Sequence, residues 1–240
     1  MNGFLVAAII IILLFILWRF FLFLRNPSRN CNAPENAIIS PADGYVLYIR
    51  HITDSKDSEI FSLKNNVKIF LADLMFLRES DTDLRSGWLI GIAMTPIDVH
   101  YNRAPIEGYI EKTCHEFPKE LRKNFKMFEA FQNLLFEKEK PYKAYPYLVF
   151  NERASFVISN SSLKIYVTQI ADSYVKRIVT YKDKEYVKRG EVFGLIRMGS
   201  QVDMFIPDTI LPVRIVAREG KHLKAGTDVV AWYETNQTHV

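Results

Sequence analysis

The spacing of apolar and polar residues divides the chain into three parts. Residues 3–24, GFLVAAIIIILLFILWRFFLFL, are apolar except for Arg19, and roughly 20 such residues are what a helix needs to cross a hydrocarbon core. No basic residue precedes the run and no small-x-small pair follows it, so it reads as a retained anchor over residues 1–25 rather than a cleaved signal peptide. Asn, Pro, Ser and Arg then dominate residues 26–36, the composition of a short linker. From residue 37 to 240, short runs of bulky and β-branched residues are interrupted by polar turns, and the pattern predicts one β-rich domain.

Within that domain the predicted strands cover residues 45–52, 88–95, 106–116, 156–159, 163–170, 174–181, 191–197, 202–206, 211–217 and 228–233. Asp43-Gly44, between two apolar runs, predicts a hairpin turn. Residues 67–77 are apolar and stay open between a strand and a short helix. Leu121, Phe125, Phe128, Phe131 and Leu135 recur at helical spacing, which fits a helix packed over the sheet or one lying in a membrane interface. The expected fold is therefore α+β and predominantly β, a sandwich-like domain with a few helices behind an N-terminal membrane-embedded helix.

Charge adds orientation. Thirty-one Lys and Arg against 27 Asp and Glu give a net charge of +4, without the clustered basicity of a nucleic-acid binder. Arg19, Arg25 and Arg29 all lie on the C-terminal side of the apolar centre, so the positive-inside bias predicts a membrane protein with its bulk on the cytoplasmic side. A single span and a monotopic insertion give the same location. Cys31 and Cys114 form no CxxC or His/Cys spacing, which predicts neither a disulfide framework nor a metal site.

Two stretches carry candidate chemistry. In FGLIRMGSQVDMFIP a residue without a side chain, Gly199, precedes the hydroxyl of Ser200 between two apolar runs. The pair fits a turn or bulge, and equally a bond whose carbonyl is open to a neighbouring nucleophile. In the second, Asp98, His100, Asn102 and Arg103 crowd between Pro96 and Pro105 directly after a predicted strand. Loops at strand ends commonly hold functional groups, and His is the natural proton-transfer side chain. A structural histidine is the competing reading.

Four stretches occur in order: PADG at 41–44, DVHYNRAPIEG at 98–108, NER at 151–153 followed by QIAD and RIV, and FGLIRMGSQVD at 193–203. Together with the N-terminal apolar segment ending in FFLFLRNPSR, they resemble the phosphatidylserine decarboxylase family, in particular its short form, which includes archaetidylserine decarboxylase-like members. The resemblance implies a proenzyme that cuts itself between Gly199 and Ser200. The products would be a large subunit, 1–199, and a small subunit, 200–240, that stay together as a heterodimer with higher oligomers open. Ser200 would become a pyruvoyl group, the Schiff-base electrophile, with no metal and no dissociable cofactor. The same resemblance implies that His100 acts as general base and acid and that Asp43 orients the base in self-cleavage. Arg103, Asn102 and, more weakly, Arg197 are the expected ligands of an anionic phospholipid head group. The implied reaction converts a phosphatidylserine-type lipid to its phosphatidylethanolamine-type counterpart and CO₂.

The chain departs from the family pattern in two ways. Longer members have a second His three residues after the first, where this chain has Arg103, as short members do. Asp172-Ser173 follow QIA, where the short form has a glycine. Two other classes compete: a catalytically inactive, membrane-anchored β-domain that binds lipid or a partner, and a carrier-type domain built on the hairpin-like VAREGKHLKAGTDVVAW.

Overall fold

The computed structural model describes residues 3–53, 59–62, 68–76, 86–117, 147–172, 178–197 and 200–234. The predicted helix over 119–140 lies outside them, as does Gly199. The apolar N-terminal run forms helix α1 (Gly3–Leu17), which continues as a π-helical stretch over Trp18–Phe23. The Leu24 amide bonds back to the Arg19 carbonyl, the five-residue step that widens a π turn. Gly3–Phe23 is long and apolar enough to cross a membrane; most of its side chains are exposed, Trp18 and Arg19 are half-buried, and Phe23 is 1% exposed.

The centre of the fold is an antiparallel sheet of eight strands. In chain order they are β2 (Gly44–Thr53), β5 (Ser86–Met94), β7 (Gly108–Glu116), β8 (Arg153–Ser159), β9 (Lys164–Ala171), β11 (Tyr186–Val187), β13 (Ser200–Pro207) and β15 (His222–Leu223). Their spatial order is β11-β7-β8-β9-β13-β5-β2-β15. Side chains alternate between the faces of a strand, and β13 shows the consequence: Val202, Met204 and Ile206 enter one apolar cluster, Phe205 the other. In β5, Ile90, Ile92 and Met94 likewise oppose Leu89 and Ala93. Strands buried on both faces lose the polar alternation of a surface sheet, which is why these runs read as continuously apolar.

Two three-stranded sheets join the first cluster. One has the order β1 (Ala37–Ile39), β16 (Val229–Tyr233), β14 (Val213–Ile215). The other has the order β10 (Ile178–Thr180), β12 (Val192–Ile196), β6 (Tyr101–Arg103). Ile38, Ala231, Phe193 and Ile178 pack there with Ile92, Val167 and Met204, giving the sandwich-like core. The second face is covered by a smaller layer: the ribbon β3 (Glu59–Ser62) and β4 (Lys68–Phe70), helix α2 (Leu71–Met75) and a helical turn over Tyr147–Phe150. Residues 67–77, open between strand and helix by pattern, supply both β4 and α2.

The Asp43-Gly44 turn is not a hairpin. Strand β1 pairs with β16 and β2 pairs with β5 and β15, so the bend carries the chain from one sheet to another. Gly44 has φ +148, and a Cβ there would stand 2.2 Å from the Ala93 carbonyl oxygen. Close backbone approach, rather than tight reversal, is what requires the glycine. Strands β12 and β13 also belong to different sheets, so the Gly199-Ser200 pair does not close a hairpin between them.

Candidate active site

Strand β5 ends at Met94, the register partner of Ser200 at the start of β13, and Ala171 of β9 flanks Ser200 on the other side. From Met94 the chain makes a turn in which the Asp98 amide bonds the Thr95 carbonyl, then delivers His100 at the entrance to β6. Pairing of β6 with β12 brings Tyr101 opposite Leu195 and Asn102 opposite Gly194, while the Ile196 amide donates to the His100 carbonyl at 3.2 Å. Ile196 and Ser200 are thus fixed to the two ends of one loop, through His100 and Met94.

His100 is fully buried. Its Nδ1 lies 2.9 Å from the Asp98 carbonyl oxygen; a carbonyl only accepts, so Nδ1 carries the proton and Nε2 bears the lone pair. Nε2 is buried and unpartnered. Burial lowers the imidazole pKa from 6.5 to about 4; the Asp98 carbonyl, the Asp98 charge and the Asp43 charge oppose that shift, and Arg25 adds to it. A neutral, orphaned ring nitrogen is costly in a purely structural position, yet it is the form that a proton acceptor needs.

The Asp98 carboxylate braces the turn. Its Oδ2 accepts from the Thr95 amide at 2.7 Å and its Oδ1 lies 2.7 Å from Nε2 of His222. His222 follows Ser200 in sequence and lies against the Tyr45 ring, centroids 4.9 Å apart. Asp43 is also buried. Arg29 contacts both of its oxygens, with Nη2–Oδ2 at 2.7 Å, and the Ala225 amide donates to Oδ1 at 2.7 Å. Asp43 reaches His100 through its charge, while the bonds to its carboxylate come from Arg29 and Ala225.

The expected head-group ligands are differently placed. The side-chain amide of Asn102 donates to the Pro41 carbonyl at 3.5 Å and its Oδ1 accepts from Gln169 at 2.5 Å. Arg103 donates to the carbonyls of Gly190 (2.9 Å) and Pro27 (2.9 Å) and to Oδ1 of Asn26 (2.7 Å). Gly226, at φ +78, admits its stem: a Cβ there would lie 2.6 Å from Cδ of Arg103. Arg197 is exposed just beyond β12, close enough to Tyr181 for its charge to act on that phenol.

Several partners escaped the sequence reading. Phe23, at the end of the apolar N-terminal helix, stacks on the His100 ring with centroids 3.8 Å apart. Arg25 ties the same helix end to the loop that carries His100, donating to the carbonyls of Leu22 (2.5 Å) and Ile97 (2.6 Å). Arg29, counted only as a topology signal, reaches Asp43. No local pattern marks these contacts; the usable hint was an arginine-rich stretch next to the anchor. Among the described residues no group of three or more His, Cys, Asp or Glu side chains is placed to hold a metal ion.

Residues 16–231 match the sequence profile of the phosphatidylserine decarboxylase family. A protein of Methanothermobacter thermautotrophicus provisionally named archaetidylserine decarboxylase proenzyme is 31% identical over 91% of this chain and 82% of its own length. The phosphatidylserine decarboxylase proenzyme of Chlorobium limicola is 28% identical over 92% and 81%. A second provisionally named archaetidylserine decarboxylase proenzyme, from Methanocaldococcus jannaschii, is 30% identical over 89% of each chain. With the family profile matching over residues 16–231 and all four motif stretches inside that region, the chain belongs to the phosphatidylserine decarboxylase family.

Proposed function

We propose that this chain is a self-processing, pyruvoyl-dependent phospholipid decarboxylase that acts at a membrane with its bulk on the cytoplasmic side. The observation that carries the reading is the buried, unpartnered Nε2 of His100 on the loop leaving Met94, the strand partner of Ser200. A serine hydroxyl is a poor nucleophile until a base takes its proton, and a neutral Nδ1–H imidazole offers its Nε2 lone pair for that purpose. Oγ of Ser200 would attack the Gly199 carbonyl and exchange the amide for an ester. Loss of the Cα proton of residue 200 then expels the Gly199 carboxylate and leaves a dehydroalanine. Its imine tautomer, hydrolysed with release of ammonia, becomes the pyruvoyl ketone.

The chain's residues fit that group at position 200. Pairing with Met94 and Ala171 would hold a new N-terminus in register, and the orphan nitrogen of His100 supplies a polar atom that packing alone does not explain. When present, the ketone condenses with the substrate amine and serves as the electron sink for loss of CO₂. His100 would return a proton to the carbon that lost CO₂, since a buried imidazolium is a strong acid. Asp43 assists His100 electrostatically during self-cleavage. Arg103 and Asn102 shape the loop through their bonds to backbone, and Arg197, exposed and three residues before Ser200, is a cation open to a phosphodiester or carboxylate.

Intact mass measurement of the purified chain tests the reading. The expected products are Met1–Gly199 and a 200–240 fragment blocked by a ketone, with Ser200→Ala giving one uncut chain. An uncut wild-type chain that binds lipid would instead support the inactive β-domain. Because relatives of both names match, decarboxylation is to be assayed on ester-linked phosphatidylserine and on archaetidylserine.

A further inference from the structure

The segment directly behind the membrane helix reads as a linker, yet it forms one wall of the candidate site. Phe23 lies on His100, Asn26 and Pro27 accept from Arg103, and Arg29 grips Asp43. The Arg29 contact is the most completely built. Its two terminal nitrogens meet the two oxygens of one carboxylate, the bidentate arrangement that fixes direction as well as distance. The Arg29 side chain is 11% exposed and that of Asp43 6%. Nη1 of Arg29 also donates to the Ala225 carbonyl at 2.6 Å, while the Ala225 amide donates to Oδ1 of Asp43. Three distant parts of the chain therefore close a ring: the juxtamembrane segment, the bend before β2, and the stretch that follows Ser200.

We propose that Arg29 is a positioning residue for self-cleavage: by clamping Asp43 against the Ala225 backbone it sets where the carboxylate charge stands relative to His100, so that seating of the membrane helix and processing of the chain are coupled. The inference rests on the reading in which Asp43 assists His100. Removal of Arg29 leaves a buried carboxylate with the Ala225 amide as its remaining described donor. Such a group turns or draws in water to recover its lost bonds, and its charge no longer acts from the same place. Lysine, a single-point cation, would restore charge without the two-point grip.

The test uses the full-length chain, synthesised in the presence of detergent micelles, with appearance of the 200–240 fragment followed over time by denaturing electrophoresis and mass. Arg29→Ala is expected to slow cleavage about tenfold to a hundredfold, with Arg29→Lys intermediate and added guanidinium restoring part of the Arg29→Ala rate. In the double variant with Asp43→Asn, cleavage is expected to be no slower than in Asp43→Asn alone, because the two residues act as one unit. A purely structural role would give neither guanidinium rescue nor that non-additivity. Arg29→Gln, which keeps part of the aliphatic stem without the charge, stands in if Arg29→Ala does not fold. Wild-type cleavage in the Arg29 variants, or fully additive slowing in the double variant, overturns the inference. Normal cleavage of Asp43→Asn or Ser200→Ala would instead overturn the reading beneath it.

Discussion

Two buried polar clusters flank the start of β13, and they are finished differently. On one face of the sheet, Gln201 donates to Tyr48 at 2.9 Å and to Asp203 at 2.6 Å, Tyr48 donates to Asp203 at 2.7 Å, and Tyr147 donates to Gln201 at 2.6 Å. Around His100 one nitrogen is held and the other is left without a partner. Burial moves the two titrating groups in opposite directions: Asp203 up to about 7, His100 down to about 4. A cluster whose members satisfy one another holds strands in register; a cluster with a missing bond leaves a lone pair uncommitted. Depth of burial alone does not distinguish them.

The contrast is broken most severely at the orphan nitrogen. His100→Ala is expected to slow appearance of the 200–240 fragment by about 10²–10⁴-fold, the usual contribution of a general base, with the uncut chain still folded. Equal cleavage rates in wild type and His100→Ala would move the base elsewhere.

Next in size is the dependence of stability on pH. His100, depressed in the folded state, binds its proton more readily when unfolded, so its contribution is lost as pH falls from about 6.5 to about 4. Asp203, raised in the folded state, does the reverse: its contribution is full below about 3.8 and is lost as pH rises through about 7. The two slopes oppose each other over most of that window. Asp203→Asn is expected to uncover the histidine slope, a loss on the order of 3 kcal/mol on acidification through it, read as unfolding midpoints at pH 7 and pH 4.5. His100→Gln should give a chain that grows more stable in acid.

Tyr48→Phe tests the satisfied cluster. Loss of one donor to Asp203 is expected to cost about 1–3 kcal/mol, a fall of roughly 2–12 °C in midpoint for a chain of this size, while the folded fraction cleaves at the wild-type rate. The smallest expected effect sharpens the other side. Phe23→Ala admits water to His100, and the acid limb of the cleavage-rate profile should move up by about one pH unit. An unchanged limb would mean that the stacked ring does not set the imidazole's environment.

Much of the fold was legible because alternation and turn residues are local. The runs now seen as β2, β5, β7, β8, β9 and β12 stood out, as did the apolar helix. Partnership was not legible: Asp43-Gly44 carries every local mark of a hairpin, yet its flanking strands join different sheets. The site divides in the same way. His100, Asp98 and Ser200 lie in stretches whose composition drew attention. Phe23, Arg29 and His222 reach the site across separations that no window spans; Arg29 alone meets residues 14 and 196 positions away. Gln201 and Asp203 were quoted within FGLIRMGSQVD without a role of their own, because a polar pair along a strand acquires meaning only from the tyrosines opposite.

Strand β13 has a further consequence. It is bonded along one edge to β5 from Ser200 to Pro207 and along the other to β9 from Ser200 to Phe205. A break ahead of Ser200 would free a chain end without freeing a piece. The shorter fragment would remain woven through the middle of the sheet, separable from the longer one only by unfolding both. Fragments of this kind should co-purify through detergent exchange and dilution, and should not exchange with fragments from another molecule.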